Sequence, residues 1–419
     1  MTLNIANGIM SCMRLVRAPQ PKTPKRKPLR GALYTLFALM LSMVAITANA
    51  LRPLPNASLN FSLPATAQAE PVQLQWPSIG QAAIAAEGYD LLATHGGNES
   101  VPTASIAKVI TALCVLQKYP LAIGQTGPTL TFGKQDAALY QYQLVHNGSS
   151  IPVYEGDQMS EYDALQAMLI PSANNIADSL ATWAFGNLDK YALYANTFVL
   201  QHGLVKTHIG VDASGLDPST ISDAADLAQL GLIVRTNPVL MSIVAKKAAT
   251  IAGIGTVTNY NTTLGMSGID GIKTGNNDQD KGALLFTANL LVAGRTVAIS
   301  GAVMGESSLQ DALSASVALV QSIGANFESY TYVQEGQSIG TATTAWGTTV
   351  PIHALSTAQV LRWKGDAVTT AKTIHPTTAS KPATIGALEV VAGPVQTSVT
   401  IALGANASAP NYWWRATRL

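Results

Sequence analysis

The sequence predicts a mixed α/β (α+β) domain followed by a smaller β-rich domain. Between residues 76 and 325, stretches with helical periodicity are interleaved with apolar, strand-like runs, which is typical of a sheet covered by helices. Between residues 326 and 419, Thr, Val, Ala and Gly dominate in short alternating runs, which indicates antiparallel strands. A chain of 419 residues is also long enough for two folded units plus additional sequence.

Periodicity and turn residues place the elements of these domains. Helices are predicted over residues 105–119, 161–185 and 222–235, and strands over residues 81–87, 283–291, 296–304, 348–355 and 399–403. Ala293-Gly294 separates the second and third of these strands, and such a dipeptide indicates a tight hairpin.

The first 75 residues are predicted to export the chain and to tether it. Residues 1–30 carry seven Lys or Arg and no acid, so we expect a basic arm that stays in the cytoplasm. Residues 31–50 form an uncharged apolar run of the length that a transmembrane helix needs, but the run ends in Ala48-Asn49-Ala50, a pattern that a signal peptidase cuts. The protein is therefore expected to be extracytoplasmic, either anchored in the membrane or secreted after cleavage behind Ala50. Residues 51–75, rich in Pro and Ala, are predicted to form an extended tether.

Composition argues against several classes of function. The 25 basic and 24 acidic residues give a net charge of +1, so nucleic acid is not an expected partner. The two cysteines, Cys12 and Cys114, lie on opposite sides of the apolar run and cannot pair if that run crosses a membrane. The six histidines are scattered and lack the spacing of metal ligands. We therefore expect neither a metal nor another cofactor.

Ser105-Ile106-Ala107-Lys108 is the first motif that can carry chemistry. A helix that begins near Ser105 brings its hydroxyl and the Lys108 amine to the same face. A serine hydroxyl is a weak nucleophile until a neighbouring group removes its proton. A lysine amine can do this only when it is neutral, and burial beside a second cation favours the neutral form by lowering its pKa.

Two further motifs follow in the chain. Ser172-Ala173-Asn174 places a hydroxyl and a carboxamide in a predicted turn between helices, where they either face a cleft or serve as a helix cap and a turn residue. Lys273-Thr274-Gly275 ends a predicted strand and offers a cation and a hydroxyl to a carboxylate, although a lone lysine of this kind is more often a strand-edge residue. Glycine there lets a ligand approach the backbone.

S-x-x-K, S-x-N and K-T-G, in this order, form the motif set of penicillin-binding proteins and serine β-lactamases. The chain resembles the D-alanyl-D-alanine carboxypeptidase family, the low-molecular-mass penicillin-binding proteins. Gly148-Ser149-Ser150-Ile151, Asp212-Ala213-Ser214-Gly215-Leu216 and Asp270-Gly271-Ile272 also look like family segments. The resemblance covers about residues 76–304 and implies a penicillin-binding/β-lactamase-like transpeptidase fold.

The resemblance also implies roles for individual residues. Ser105 would be the nucleophile, Lys108 the general base and Ser172 a proton shuttle. The substrate-binding residues would be Asn174, Lys273, Thr274, Gly275 and Asn276, with the oxyanion held by the backbone N–H groups of Ser105 and Asn276. Two departures, Asn175 in place of an acid and Asn276-Asn277 after K-T-G, bear on substrate preference rather than on the reaction class.

The implied activity is that of a serine-type D-Ala-D-Ala carboxypeptidase. Its substrates would be peptidoglycan stem peptides ending in D-Ala-D-Ala, and β-lactams would inhibit it covalently. A D,D-endopeptidase would use the same residues. A class A-like β-lactamase would need a deacylating glutamate, and residues 201–216 contain none. A non-catalytic muropeptide-binding module of the cell envelope remains the alternative outside enzymes.

The role of the C-terminal domain stays open at this level. It serves either as a spacer that lifts the first domain towards the wall or as a surface for partner proteins. Its final aromatic run, Tyr412-Trp413-Trp414-Arg415, is predicted either to pack against the sheet or to lie at a membrane interface.

Overall fold

The computed structural model describes residues 29–277, 281–380 and 383–418. Its helices are α1 (Leu29–Leu51), α2 (Ala107–Lys118), α3 (Lys134–Val145), α4 (Glu161–Leu169), α5 (Asn174–Phe185), α6 (Leu188–Gln201), α7 (Ala224–Arg235), α8 (Pro238–Val244), α9 (Leu309–Ile323) and α10 (Tyr412–Thr417). Its first twelve strands are β1 (Ser58–Phe61), β2 (Gln81–Ala86), β3 (Asp90–His95), β4 (Val101–Pro102), β5 (Thr129–Thr131), β6 (Gln158–Ser160), β7 (Ile221–Ser222), β8 (Ala248–Ile251), β9 (Gly255–Thr258), β10 (Ile269–Asn277), β11 (Lys281–Val292) and β12 (Arg295–Glu306). The remaining strands are β13 (Phe327–Val333), β14 (Ser338–Thr343), β15 (Thr349–Ala354), β16 (Ala358–Trp363), β17 (Val368–Ile374), β18 (Thr384–Ala392) and β19 (Val395–Leu403).

A five-stranded antiparallel sheet in the order β10-β11-β12-β2-β3 organises the first domain. Ala83 of β2 and Leu285 of β11 lie in the core that faces the helices, whereas Ile84 and Phe286 lie in the core beneath α9. Both faces are therefore covered, which explains why these strands are apolar throughout rather than alternating. The mixed α/β prediction for this part of the chain is confirmed.

The predicted elements of this sheet are found, with small changes at their ends. The predicted strands 81–87, 283–291 and 296–304 correspond to β2, β11 and β12. Ala293 and Gly294 both adopt positive φ, as a tight hairpin between β11 and β12 requires, so the predicted hairpin is confirmed.

The helical stretch predicted over 161–185 is interrupted at the second motif, where the sequence also predicted a turn between helices. The structure has two helices, α4 and α5, separated by Ile170–Ala173. Pro171 cannot donate a backbone hydrogen bond, and Ser172 adopts φ 62°, which is incompatible with a continuous right-handed helix. The interruption places the second motif in the turn between the helices.

The C-terminal sheet is six-stranded, in the order β1-β14-β15-β19-β18-β17. Its β1 comes from the segment that was predicted to be an extended tether, and it pairs along its length with β14. The same segment is also held by Arg362, whose buried guanidinium donates to Glu70 Oε1 at 3.0 Å and to the Gln68 carbonyl at 2.7 Å. Residues 58–61 therefore extend the six-stranded sheet, whereas Gln68 and Glu70 are held by Arg362 of β16, which pairs with β13 outside that sheet.

At the N-terminus, α1 stands apart from both domains over most of its length. Residues 31–48 are exposed, and burial begins only at Asn49 and Ala50. Its hydroxyl side chains donate back to carbonyls of the preceding turn, as Thr47 does to Met43 at 2.7 Å, so they need no solvent partner. By length and hydropathy this helix is able to cross a membrane. Nearly all of the predicted basic arm 1–30, as well as Cys12, lies outside the described residues.

Candidate active site

Ser105 and Lys108 meet at the start of α2. A one-turn 3-10 helix, Ala104–Ile106, precedes α2 and carries Ser105, which is partly exposed. Lys108 lies in the first turn of α2 with its side chain buried, and its Nζ is 2.8 Å from Ser105 Oγ. The three-residue spacing therefore produces the contact expected from the sequence.

Two more acceptors surround the Lys108 amine. Its Nζ donates to Asn174 Oδ1 at 2.7 Å and to the Ser214 carbonyl at 2.8 Å. Burial lowers the pKa of Lys108 to about 7, and the carboxylates of Asp212 and Asp178 partly oppose this shift. An amine with this pKa is substantially neutral near pH 7 and can accept the proton of the serine hydroxyl.

The second motif lines the same cleft from the turn between α4 and α5. Ser172, with Ser105 and Thr274, lines a cavity of about 260 Å³. Asn174 begins α5, and its Nδ2 donates to Gln143 Oε1 at 3.0 Å, which orients Oδ1 towards Lys108. Ser172 and Asn174 are both largely buried, yet each of them lines a cavity beside Ser105.

The third motif forms the opposite wall on the edge strand β10. Lys273 is buried, and its Nζ donates to the Thr274 carbonyl at 3.0 Å and to Thr274 Oγ1 at 3.3 Å. Burial first, and the positive charge of Lys108 second, lower the pKa of Lys273 well below its usual range. An arriving carboxylate would reverse this shift, because an opposite charge favours the ammonium form.

Gly275 allows β10 to pack directly on the turn that holds the serine. A Cβ at this position would lie 3.0 Å from the Thr103 carbonyl and 3.3 Å from Ala104 Cβ. Asn276, the next residue, is exposed. It lines both the 260 Å³ cavity beside Ser172 and an adjoining cavity of about 410 Å³. The structure therefore brings together all eight residues that the sequence analysis selected.

A tight turn after α6 supplies a contact that the motifs did not reveal. Asp212 accepts hydrogen bonds from Ser214 Oγ at 2.6 Å and from the backbone N–H of Leu216 at 2.9 Å. Asp178 on α5 accepts from the Ala213 N–H at 2.9 Å. Together they hold the backbone that offers the Ser214 carbonyl to Lys108. Asp212 therefore has a structural role in this turn, and no sequence motif pointed to Asp178.

Asn175, the departure from the family pattern, has a structural role. Its Nδ2 donates to the Ile151 carbonyl at 2.9 Å, and its Oδ1 accepts from the Ile151 N–H at 3.1 Å. A carboxylate could not make the first of these bonds because it carries no donor. Through this pair, Asn175 fixes the segment that brings Ser149 to the rim of both cavities.

The fold is that of penicillin-binding transpeptidases. Penicillin binding protein 5 from Haemophilus influenzae is similar with a TM-score of 0.56 and 21% identity, over 81% of this chain and 99% of that one. A Streptomyces DD-transpeptidase is similar with a TM-score of 0.51 and 22% identity, over 61% of this chain and 98% of that one. At these identities the likeness shows the fold, and it confirms the fold class expected from the motifs.

Comparison of the sequence with protein families and curated proteins identifies a family within the penicillin-binding class. Residues 80–307, more than half of the chain, match the family described as D-alanyl-D-alanine carboxypeptidase. The chain belongs to the D-alanyl-D-alanine carboxypeptidase family. Curated relatives from Escherichia coli K12 include DacC, 30% identical over 44% of this chain and 46% of the relative, and DacA, 28% identical over 51% and 55%. Both are D-alanyl-D-alanine carboxypeptidases by name, and the chain spans about half the length of each.

Proposed function

We propose that the protein is a serine-type D-Ala-D-Ala carboxypeptidase that removes the terminal D-alanine from peptidoglycan stem peptides through an acyl-enzyme on Ser105. The observation that carries this proposal is the buried Lys108 amine, 2.8 Å from Ser105 Oγ, with a pKa lowered to about 7. A base with this pKa activates a hydroxyl nucleophile near neutral pH. Family membership supports the choice of substrate.

The proposed reaction has two steps. Ser105 Oγ attacks the carbonyl carbon of the penultimate D-alanine while Lys108 Nζ takes the hydroxyl proton, and the N–H groups of Ser105 and Asn276 hold the oxyanion. The C–N bond then breaks, and Ser172 relays a proton to the leaving amine of D-alanine. Water hydrolyses the resulting ester and regenerates the serine. Asn174 contacts the substrate amide, and Lys273 with Thr274 binds the terminal carboxylate.

The cleft argues against rapid β-lactam hydrolysis. Among the described residues that line the two cavities around Ser105, none is an aspartate or a glutamate. A class A-like β-lactamase uses a glutamate to activate the deacylating water. The proposed enzyme is therefore expected to be acylated by β-lactams and to release them slowly. A muropeptide-binding module without catalysis would not be labelled covalently.

We also propose where the protein works. Its chain would divide into a catalytic domain over residues 76–325 and a β-rich domain over residues 326–419. With α1 crossing the membrane and the basic arm 1–30 in the cytoplasm, both domains would face the outside. The exposed apolar surface of α1 supports this placement, since in water it would be a large unpartnered patch.

The proposed carboxylate site predicts a preference for a free C-terminus. A stem peptide with a free terminal carboxylate should be cleaved about 10- to 150-fold faster than the same peptide amidated there, because a charge-assisted hydrogen bond contributes about 1.5–3 kcal/mol. Lys273→Ala should shrink this ratio. The measurement compares release of D-alanine from the acid with release of D-alaninamide from the amide.

The matched control is Lys281→Ala, which removes an exposed lysine at the start of β11, next to the site in the sheet. It should leave the ratio unchanged. Equal rates for acid and amide in the unmodified protein would show that the carboxylate is not recognised, and would favour a D,D-endopeptidase acting on cross-links.

A further inference from the structure

The C-terminal helix α10 packs against the last turn of α1. Ala50 and Ala416 are each buried, with exposed fractions of 7% and 6%. Since residues 31–48 of α1 are exposed, the contact is confined to the end from which the chain continues into the folded domains. Two segments more than 360 residues apart in sequence therefore meet at one point, as the bond between Asn49 and Ala416 shows.

The two helices satisfy each other's terminal carbonyls. Asn49 Nδ2 donates to the Ala416 carbonyl at 3.0 Å and to the Arg418 carbonyl at 2.7 Å. In return, the Arg418 guanidinium donates to the Asn49 carbonyl at 3.2 Å and to the Arg52 carbonyl. Helix ends leave such carbonyls without partners, and a cation beside them also interacts favourably with the helix dipole.

The position of this contact along α1 corresponds to a membrane surface. The exposed residues 31–48 span about 27 Å at about 1.5 Å per residue, close to the ~30 Å hydrocarbon core of a bilayer. If this stretch fills the core, Asn49 and α10 lie in the headgroup layer. Arg52 directly follows α1, Arg415 belongs to α10 and Arg418 directly follows α10, so all three would lie in this layer, where anionic headgroups attract basic side chains.

The aromatic residues of α10 divide between two environments. Trp414 packs edge-on against Trp346 at a centroid distance of 5.5 Å, and the Arg418 guanidinium lies 5.5 Å from the Trp414 ring centroid. Tyr412 and Trp413 point away from the protein with exposed fractions of 62% and 73%. Trp414 therefore packs on the turn between β14 and β15 rather than on a strand, while the rings of Tyr412 and Trp413 remain exposed.

We propose that α10 acts as a clasp: it binds the C-terminal end of α1 and places Tyr412 and Trp413 in the headgroup layer of an anionic membrane. Tyr and Trp favour this layer because their rings are apolar and their N–H or O–H groups can still reach water. The proposal rests on the proposed membrane placement of α1 and not on chemistry at Ser105.

The clasp has a consequence for the Ala48-Asn49-Ala50 pattern. Asn49 is held by four hydrogen bonds that involve a side chain, formed with Ala416, Arg418 and Arg52, and Ala50 is buried. The clasp can form only while α1 remains attached to the folded domains. The mature protein should therefore keep residues 1–50 and behave as an integral membrane protein.

The test uses the full chain, reconstituted in vesicles of phosphatidylcholine and phosphatidylglycerol. Tryptophan fluorescence should be quenched by a spin label on the lipid headgroup, and Trp413→Phe should remove most of that quenching. Trp183→Phe is the control, because Trp183 packs on Tyr119 among the helices of the first domain. Intact mass should show the chain beginning before residue 31.

A pair of arginine variants isolates the capping contact. Arg418→Ala and Arg415→Ala each remove one positive charge at α10 or directly after it, but among the described hydrogen bonds only Arg418 donates to the carbonyls of Asn49 and Arg52 at the end of α1. Headgroup quenching should fall further for Arg418→Ala than for Arg415→Ala. Equal quenching in the unmodified protein and Trp413→Phe, equal losses in the two arginine variants, or a chain beginning at Leu51 would each overturn the clasp. Labelling by fluorescent penicillin is an independent readout, so its loss with normal quenching would count against the proposed catalysis alone.

Discussion

Replacing Ser105 by alanine should abolish covalent labelling by a fluorescent penicillin and reduce D-alanine release by roughly 10⁶-fold, the size of loss seen when a catalytic serine is removed. No other hydroxyl is held 2.8 Å from Lys108 Nζ among the hydrogen bonds of the described residues. Because Ser105 is partly exposed and the change deletes a single oxygen, the domain should still fold. Gel fluorescence and thermal unfolding measure the two effects.

Ser149→Ala is the matched control for this variant. Ser149 lines both cavities beside Ser105, but its hydroxyl makes no hydrogen bond to Lys108. It should be labelled at a rate much closer to that of the unmodified protein. A Ser105→Ala protein that still forms a penicillin adduct, located by peptide mapping on another residue, would refute the proposed nucleophile.

Lys108→Arg should slow acylation by about 10²–10⁴-fold, the usual contribution of a general base. The guanidinium keeps its proton at all accessible pH values and cannot accept one from Ser105. The rate of penicillin acylation under single-turnover conditions is the measurement. Lys246→Arg, which changes a lysine that donates to Tyr162 and Gln166 instead, should leave that rate nearly unchanged.

The same amine predicts a pH profile. Its pKa is lowered from the usual value near 10.5 to about 7, mainly by burial. Lys108 is protonated and inactive below this pH and neutral above it, so the acylation rate should rise through about pH 7 and then level off. A rate that is independent of pH between 5 and 9, or a near-normal rate in Lys108→Arg, would require another base.

The sequence was most informative where function depends on local spacing. A helix periodicity after Ser105 was sufficient to predict that Ser105 and Lys108 lie side by side, because residues three apart share a helix face. Likewise, the apolar runs on either side of Ala293-Gly294 predicted the central hairpin of the sheet.

Contacts between distant segments could not be predicted in the same way. The support of Lys108 by Ser214, Asp178 and Gln143 depends on three separate segments that meet only in the folded core. No periodicity marks a single acid on a helix as a partner of a remote backbone N–H. The pairing of β1 with β14 was not predicted for the same reason. In the sequence alone, a short edge strand among prolines resembles a linker.

The most direct test of the central claim is D-alanine release from a stem pentapeptide ending in D-Ala-D-Ala. We expect the unmodified protein to release one D-alanine and one tetrapeptide per substrate, with an acyl-enzyme on Ser105 visible by intact mass after acid quench. Ser105→Ala should show neither product nor adduct. A folded, penicillin-labelled protein that releases no D-alanine from the pentapeptide would contradict the account. So would a Ser105→Ala protein that releases D-alanine as fast as the unmodified protein.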